Sequence, residues 1–222
     1  MSTTKSKVPV ILSVWRQCFQ VLMEMLTDRA WTNIQTSSNI ETLHLQYCNA
    51  KSLVILLASA SRPIPNDSLC RFCTNECKLS IFVCLAGNFT SPALQHIETL
   101  RHNVGHVLVL FQDKVTATLR DDFFKLQKYE LELKHFFQLY VNVSKHRLVP
   151  AHRCLSAAEE LEIVARYRCT KDKFPAIFVT DPVVRYYNFP VGSLLEIQRP
   201  MLYYRHVVLA PAKTNYEKFF CD

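Results

Sequence analysis

A chain of 222 residues, 49% hydrophobic and 20% charged, holds enough apolar material for one or two packed domains and too little charge for a disordered one. Three glycines exclude a Gly-rich low-complexity design, and the chain has no Gly-x-Gly-x-x-Gly, Walker loop or Gly-x-Ser-x-Gly elbow. The excess of 26 Lys and Arg over 19 Asp and Glu, a formal +7, suits a nucleic-acid neighbourhood or an acidic protein partner, and equally a solvated basic surface.

No apolar run reaches the roughly 18 residues that a membrane helix needs. Nine cysteines are an odd number, and the N-terminal residues lack a signal-peptide pattern. They are expected to be reduced thiols in an intracellular protein, so the sequons Asn88-Phe89-Thr90 and Asn142-Val143-Ser144 are expected to carry no sugar.

In chain order, Ile11, Trp15, Cys18, Leu22 and Met25 recur at three- and four-residue steps and predict an amphipathic helix ending near Asp28-Arg29. Residues 32–50 are polar and give no element. Ser52–Leu57 predicts a strand covered on both faces, followed by a loop over Ser61–Asp67. Ile81–Leu85 is a second strand, Ser91-Pro92 opens a helix, and Val107–Phe111 is a third strand. A second helix is expected over Thr118–Leu126 and a fourth strand over Phe136–Val143. Strands alternating with helices at these lengths predict an α/β N-terminal domain with a mainly parallel sheet over residues 1–144.

Past Lys145 the pattern changes. Ser156 and Glu159 form a capping box, and Leu161, Val164 and Ala165 supply the apolar face of the helix that follows. Ile177-Phe178-Val179 reads as a short buried strand. Asp181-Pro182 then starts a short helix, with Asp181 as cap and Pro182 at the first position, where its missing N–H is not needed. Asn188 tolerates a left-handed cap and Pro190-Val191-Gly192 is turn chemistry. Leu194, Leu195 and Ile197 lead a strand that Pro200 ends, and Tyr203–Leu209 is the last strand. This gives a small mixed α+β C-terminal domain over 145–210 and a tail over 211–222, expected to be mobile.

Two groupings invite a chemical reading. Cys70-x-x-Cys73-x-x-x-Cys77, with Cys84 beyond, has one closely spaced pair and a misspaced third cysteine, so ordinary thiols are expected in place of a zinc site. His152 with Cys154 is a weaker case, and no metal or cofactor is assigned. Glu132-Leu133-Lys134 resembles half of a divalent-metal nuclease site, but such a site needs a second carboxylate, for which Asp113 is the candidate. A charged strand edge is the simpler reading. No catalytic residues are assigned. His146 and His152 flank a Leu-Val-Pro turn and are expected to hold it by hydrogen bonds.

Asp181-Pro182-Val183-Val184-Arg185-Tyr186-Tyr187, the turn at Gly192, and Ile197-Gln198-Arg199-Pro200 resemble the assembly domain of the RNA polymerase fifth-subunit family, whose eukaryotic members are shared among polymerases. Upstream, Asn142–His152 resembles the start of that domain, with its His-x-Leu-Val-Pro-x-His signature at His146, Leu148, Pro150 and His152. The resemblance implies a non-catalytic structural subunit of a nuclear DNA-dependent RNA polymerase. It implies docking on the largest subunit, beside neighbouring subunits, through His146–His152, Asp181, Pro182, Arg185, Tyr186, Tyr187 and Arg199.

The N-terminal domain of eukaryotic members forms part of a jaw near downstream duplex DNA, and many of them start a DNA-facing helix with Thr-Pro-Ser-Ala. Here Thr116-Ala117-Thr118-Leu119 stands in that place, with Lys114 and Arg120 beside it, so any contact would be non-specific and to phosphate. Departures lie after Pro200, where Met201-Leu202-Tyr203 replaces a longer glycine-bearing loop, and at Ala176 and Asn188. They imply a divergent or duplicated subunit serving one polymerase class, such as RNA polymerase I in the nucleolus. The readings from other classes are a stand-alone metal-dependent nuclease and a free nucleic-acid-binding module.

Overall fold

The computed structural model describes residues 12–36, 39–42, 54–63, 76–84, 106–111 and 131–209. The chain packs as two compact units, Met1–Val141 and Asn142–Asp222.

The first unit begins with α1, Leu12–Asp28, whose buried residues Trp15, Cys18, Phe19, Leu22, Met25 and Leu26 form the stripe that a 3.6-residue repeat produces. The helix stops because Ala30 turns left-handed at φ 59°. The Ala30 amide then donates to Thr27 O and the Trp31 amide to Leu26 O, both at 2.9 Å, closing the helix end as a Schellman motif.

The sheet of this unit runs in the order β1 (Thr32–Thr36), β2 (Val54–Pro63), β3 (Glu76–Cys84), β4 (His106–Phe111), β5 (Leu131–His135). β4 is buried from Val107 to Leu110, as its uninterrupted apolar run requires. The sheet is mixed, which corrects the expectation of a mainly parallel one: β3–β4 and β4–β5 are parallel, but β1–β2 and β2–β3 are antiparallel. An apolar run reports that a strand is covered and says nothing about its direction.

Other boundaries differ too. The polar stretch Thr32–Thr36 is an edge strand, and β2 continues through Pro63, its ladder interrupted by a bulge between Leu56 and Ala58. Phe136–Leu139 is a 3₁₀ turn in place of a strand. Its three-residue period puts Phe136 and Leu139 on one side, with the Phe136 ring 5.0 Å from Trp15 of α1. The helices expected after Ser91 and over Thr118–Leu126 lie outside the described residues.

The second unit has a four-stranded sheet in the order β6 (His152–Cys154), β8 (Leu194–Ile197), β9 (Tyr203–Val208), β7 (Ala176–Phe178). β7 runs parallel to β9, and the other pairings are antiparallel. Two core clusters pack on opposite faces, because the consecutive residues Leu194 and Leu195 alternate across β8. Leu194 joins Leu155, Tyr204, Phe174 and Ile163 of α2 (Ala157–Tyr167). Leu195 joins Ile177, Val207 and Val184 of α3 (Pro182–Tyr187).

The Ser156–Glu159 capping box is formed in both directions. The buried face of α2 is Glu160 and Ile163, however, and Leu161 is 71% exposed. What turns the helix is the Glu160 carboxylate, which accepts the buried Leu194 amide at 2.7 Å and pairs with Lys171. Local chemistry also shapes α3: Asp181 accepts the Val183 amide at 2.8 Å, Pro182 opens the helix and Asn188 caps it at φ 55°. Gly192 takes φ 87°, the left-handed region that a glycine enters without strain.

Candidate docking surface

The residues singled out in the C-terminal sequence fall into three groups on the second unit. The first is a stapled turn. The His146 Nδ1 accepts the Leu148 amide at 3.3 Å, and the His152 Nδ1 lies 2.7 Å from Pro150 O. The Val149 amide donates to His146 O at 2.9 Å. The two histidines therefore hold the turn, and Leu148 projects from it with 75% of its surface exposed.

The second group is α3. Asp181 and Pro182 serve the helix start. Tyr186 is 4% exposed, so it supports this surface from beneath instead of lining it. Its ring meets Tyr187 edge-on at 5.0 Å, and Tyr187 in turn stacks on Phe189 at 5.1 Å and 16°. Arg185 is half-buried, with Tyr187 beside the exposed Asn188. This aromatic ladder fixes side chains before any partner arrives, which lowers the ordering cost of association.

The third group surrounds Arg199. Its guanidinium lies over the Tyr203 ring at 5.6 Å, and Arg205 lies over the same ring at 5.4 Å. Tyr203 and Arg205 carried no motif and were not anticipated. The available signal was their i, i+2 spacing on a strand, which puts both on one face. A further basic residue is engaged internally: Arg153 bridges Glu159 at 2.6 Å and Glu196 at 3.3 Å. The Ser156 amide and hydroxyl and this arginine hold the Glu159 carboxyl down at about 2, and the two carboxylates raise Arg153.

In the first unit, Glu132 is held by cations. Both its oxygens accept from Arg29, at 2.6 and 2.9 Å, and Lys134 lies 3.3 Å away. Burial is the largest single influence and raises the carboxyl, but the two cations and their hydrogen bonds together outweigh it and hold the pKa at about 2. A metal would have to displace three cation contacts, so this group works as a structural ion cluster. Asp113 lies outside the described residues, as do Cys70, Cys73, Lys114, Thr116, Thr118 and Arg120. Among the described residues no three His, Cys, Asp or Glu side chains gather as a metal centre would require, and no helix is long and apolar enough to cross a membrane.

The stapled turn, α3 and the Arg199 strand all fall inside residues 141–208, which match the family described as RNA polymerase Rpb5, C-terminal domain. Similarity to curated proteins extends further along the chain. The DNA-directed RNA polymerases I, II, and III subunit RPABC1 of Caenorhabditis elegans is 28% identical over 200 residues, covering 84% of this chain and 89% of that protein. The corresponding Dictyostelium discoideum subunit is 24% identical over 188 residues, 83% and 89% of the two chains. The DNA-directed RNA polymerases IV and V subunit 5B of Arabidopsis thaliana is 25% identical over 180 residues, 79% and 78%. The match to the Rpb5 C-terminal domain thus lies over the docking surface, and alignments to RNA polymerase subunits at 24–28% identity run well beyond it.

Proposed function

We propose that this protein is a non-catalytic structural subunit of a nuclear DNA-dependent RNA polymerase, and that its second unit docks on the largest subunit. The observation that carries this reading is the coincidence of the family match over 141–208 with a surface that is rigid before binding. Histidine staples, a proline-opened helix and Tyr187 stacked on Phe189 present Leu148, Arg185, Tyr187 and Arg199 at little ordering cost. The N-terminal unit serves as a jaw beside downstream DNA, with Lys114, Thr116, Thr118 and Arg120 near phosphate. Its role is positional, and nucleotide addition belongs to other subunits.

The protein serves one polymerase class, with RNA polymerase I in the nucleolus as the leading candidate. Support comes from its low identity to relatives named for polymerases I, II and III, and from a relative named for polymerases IV and V alone. Affinity purification of the tagged full-length chain tests both statements. The expected result is recovery of a polymerase with one of the nuclear largest subunits in clear excess. Equal recovery of the largest subunits of all three nuclear polymerases would refute class restriction. A chain sedimenting alone near its 25.7 kDa mass would refute the subunit reading.

A further inference from the structure

The Arg199–Tyr203–Arg205 cluster has a charge arrangement that the fold by itself does not explain. Two guanidinium groups lie over one tyrosine ring, at 5.6 and 5.4 Å, each within cation–π range. Neither has a carboxylate partner among the described residues, whereas Glu159, Glu160, Glu162 and Glu196 of the same unit are all paired elsewhere. The Arg205 fork is also incompletely used. Its Nε is buried without an acceptor, and one terminal nitrogen reaches Ala176 O only at 3.5 Å. The ring offsets part of the repulsion between like charges. An anion seated against the accessible nitrogens of both guanidinium groups would offset the rest.

The surroundings distinguish between anions. Met201 and Leu202, in the connection that joins Arg199 to Tyr203, are 82% and 55% exposed. Arginine, tyrosine and methionine together are the composition enriched in protein–protein contacts. A nucleic-acid strand calls instead for a track of basic groups following successive phosphates, and here the charge has a single focus beside apolar side chains. From this we infer that the cluster receives one aspartate or glutamate side chain, flanked by apolar residues, from a neighbouring polypeptide of the polymerase. The inference rests on the docking function proposed above and names the chemistry of the contact.

The test uses the tagged full-length chain expressed in its own cells, with recovery of the polymerase largest subunit as the first readout and thermal melting as a folding control. Arg199 is exposed, so Arg199→Glu is expected to melt like the wild type while recovering about tenfold less largest subunit. Arg199→Lys is expected to retain recovery. It also places an amine where carbodiimide, a zero-length coupler, can join it to a carboxylate, and mass spectrometry should find that link to an Asp or Glu of another subunit. The exposed Arg168→Lys is the control and should give no such link. Normal recovery by Arg199→Glu with no cross-link from Arg199→Lys would overturn the carboxylate contact and leave docking intact. Loss of duplex DNA retention by Arg199→Glu at unchanged subunit recovery would overturn it in favour of phosphate. Failure of the wild-type chain to recover any polymerase subunit would overturn docking itself.

Discussion

The Glu160 carboxylate accepts the Leu194 amide at 2.7 Å across 34 positions of sequence, tying the first turn of α2 to the start of β8. Lys171 holds the same carboxylate and also reaches Gly192 O at 3.4 Å. The contact sets the rotation of α2 and satisfies a backbone donor inside the core.

Glu160→Gln keeps an oxygen for the Leu194 amide and loses only the charge, whereas Glu160→Ala leaves that amide buried without an acceptor. The alanine variant should lose on the order of 2–3 kcal/mol and the glutamine variant about half as much. Urea unfolding of the two variants side by side checks the ranking, and equal losses would remove the hydrogen bond from this account.

The Arg29–Glu132–Lys134 cluster makes the first unit acid-sensitive. The folded pKa of Glu132, about 2, lies below its ordinary 4.5. Its contribution is therefore complete above about pH 4.5 and is lost as pH falls toward 2. Wild type should lose on the order of 3 kcal/mol across that window, and Glu132→Gln should show a flatter profile and a lower plateau. Unfolding midpoints measured every half pH unit would test the sign as well as the size.

At Asn188, φ is 55°. Asn188→Gly should be neutral or slightly stabilising, because glycine has no Cβ to crowd the left-handed backbone, and Asn188→Ala should cost about 1 kcal/mol, because alanine keeps the Cβ and loses the short polar side chain that offsets it in asparagine. The midpoint of thermal unfolding reads the difference directly.

Leu148 and Tyr186 should separate docking from folding. Leu148→Ser, on a side chain 75% exposed, should change stability by less than about 0.5 kcal/mol and still reduce recovery of the polymerase largest subunit. Tyr186→Ala should cost about 3 kcal/mol or more, since the ring is buried. A Leu148→Ser chain that purifies with full polymerase would take the turn out of the docking surface.

Thiol reactivity should follow burial. Burial pushes the Cys18 thiol up to about 11 and also raises Cys154, and Cys18 lies fully inside the face of α1. Among the described cysteines, site-resolved alkylation of the native protein should modify the partly exposed Cys169 first and Cys18 only on unfolding.

What the sequence by itself determined is local. The Asp181-Pro182 start of α3, its Asn188 stop, the Gly192 turn and the Ser156–Glu159 box all appear where residue chemistry predicts them, because each is complete within a few residues. The His146–His152 turn belongs with them. Only the tertiary structure decided which way the strands of the first sheet run, since covered strands look alike in either direction. It also decided what holds the charged edge strand β5, because the Arg29 that pairs with Glu132 lies 103 positions away. For the same reason Leu161 lost the core to Glu160, whose acceptor role exists only once β8 is in place. In the candidate site, Arg199 was visible from its motif, whereas its place with Arg205 over Tyr203 required the β8–β9 pairing that turns the chain back at Arg199.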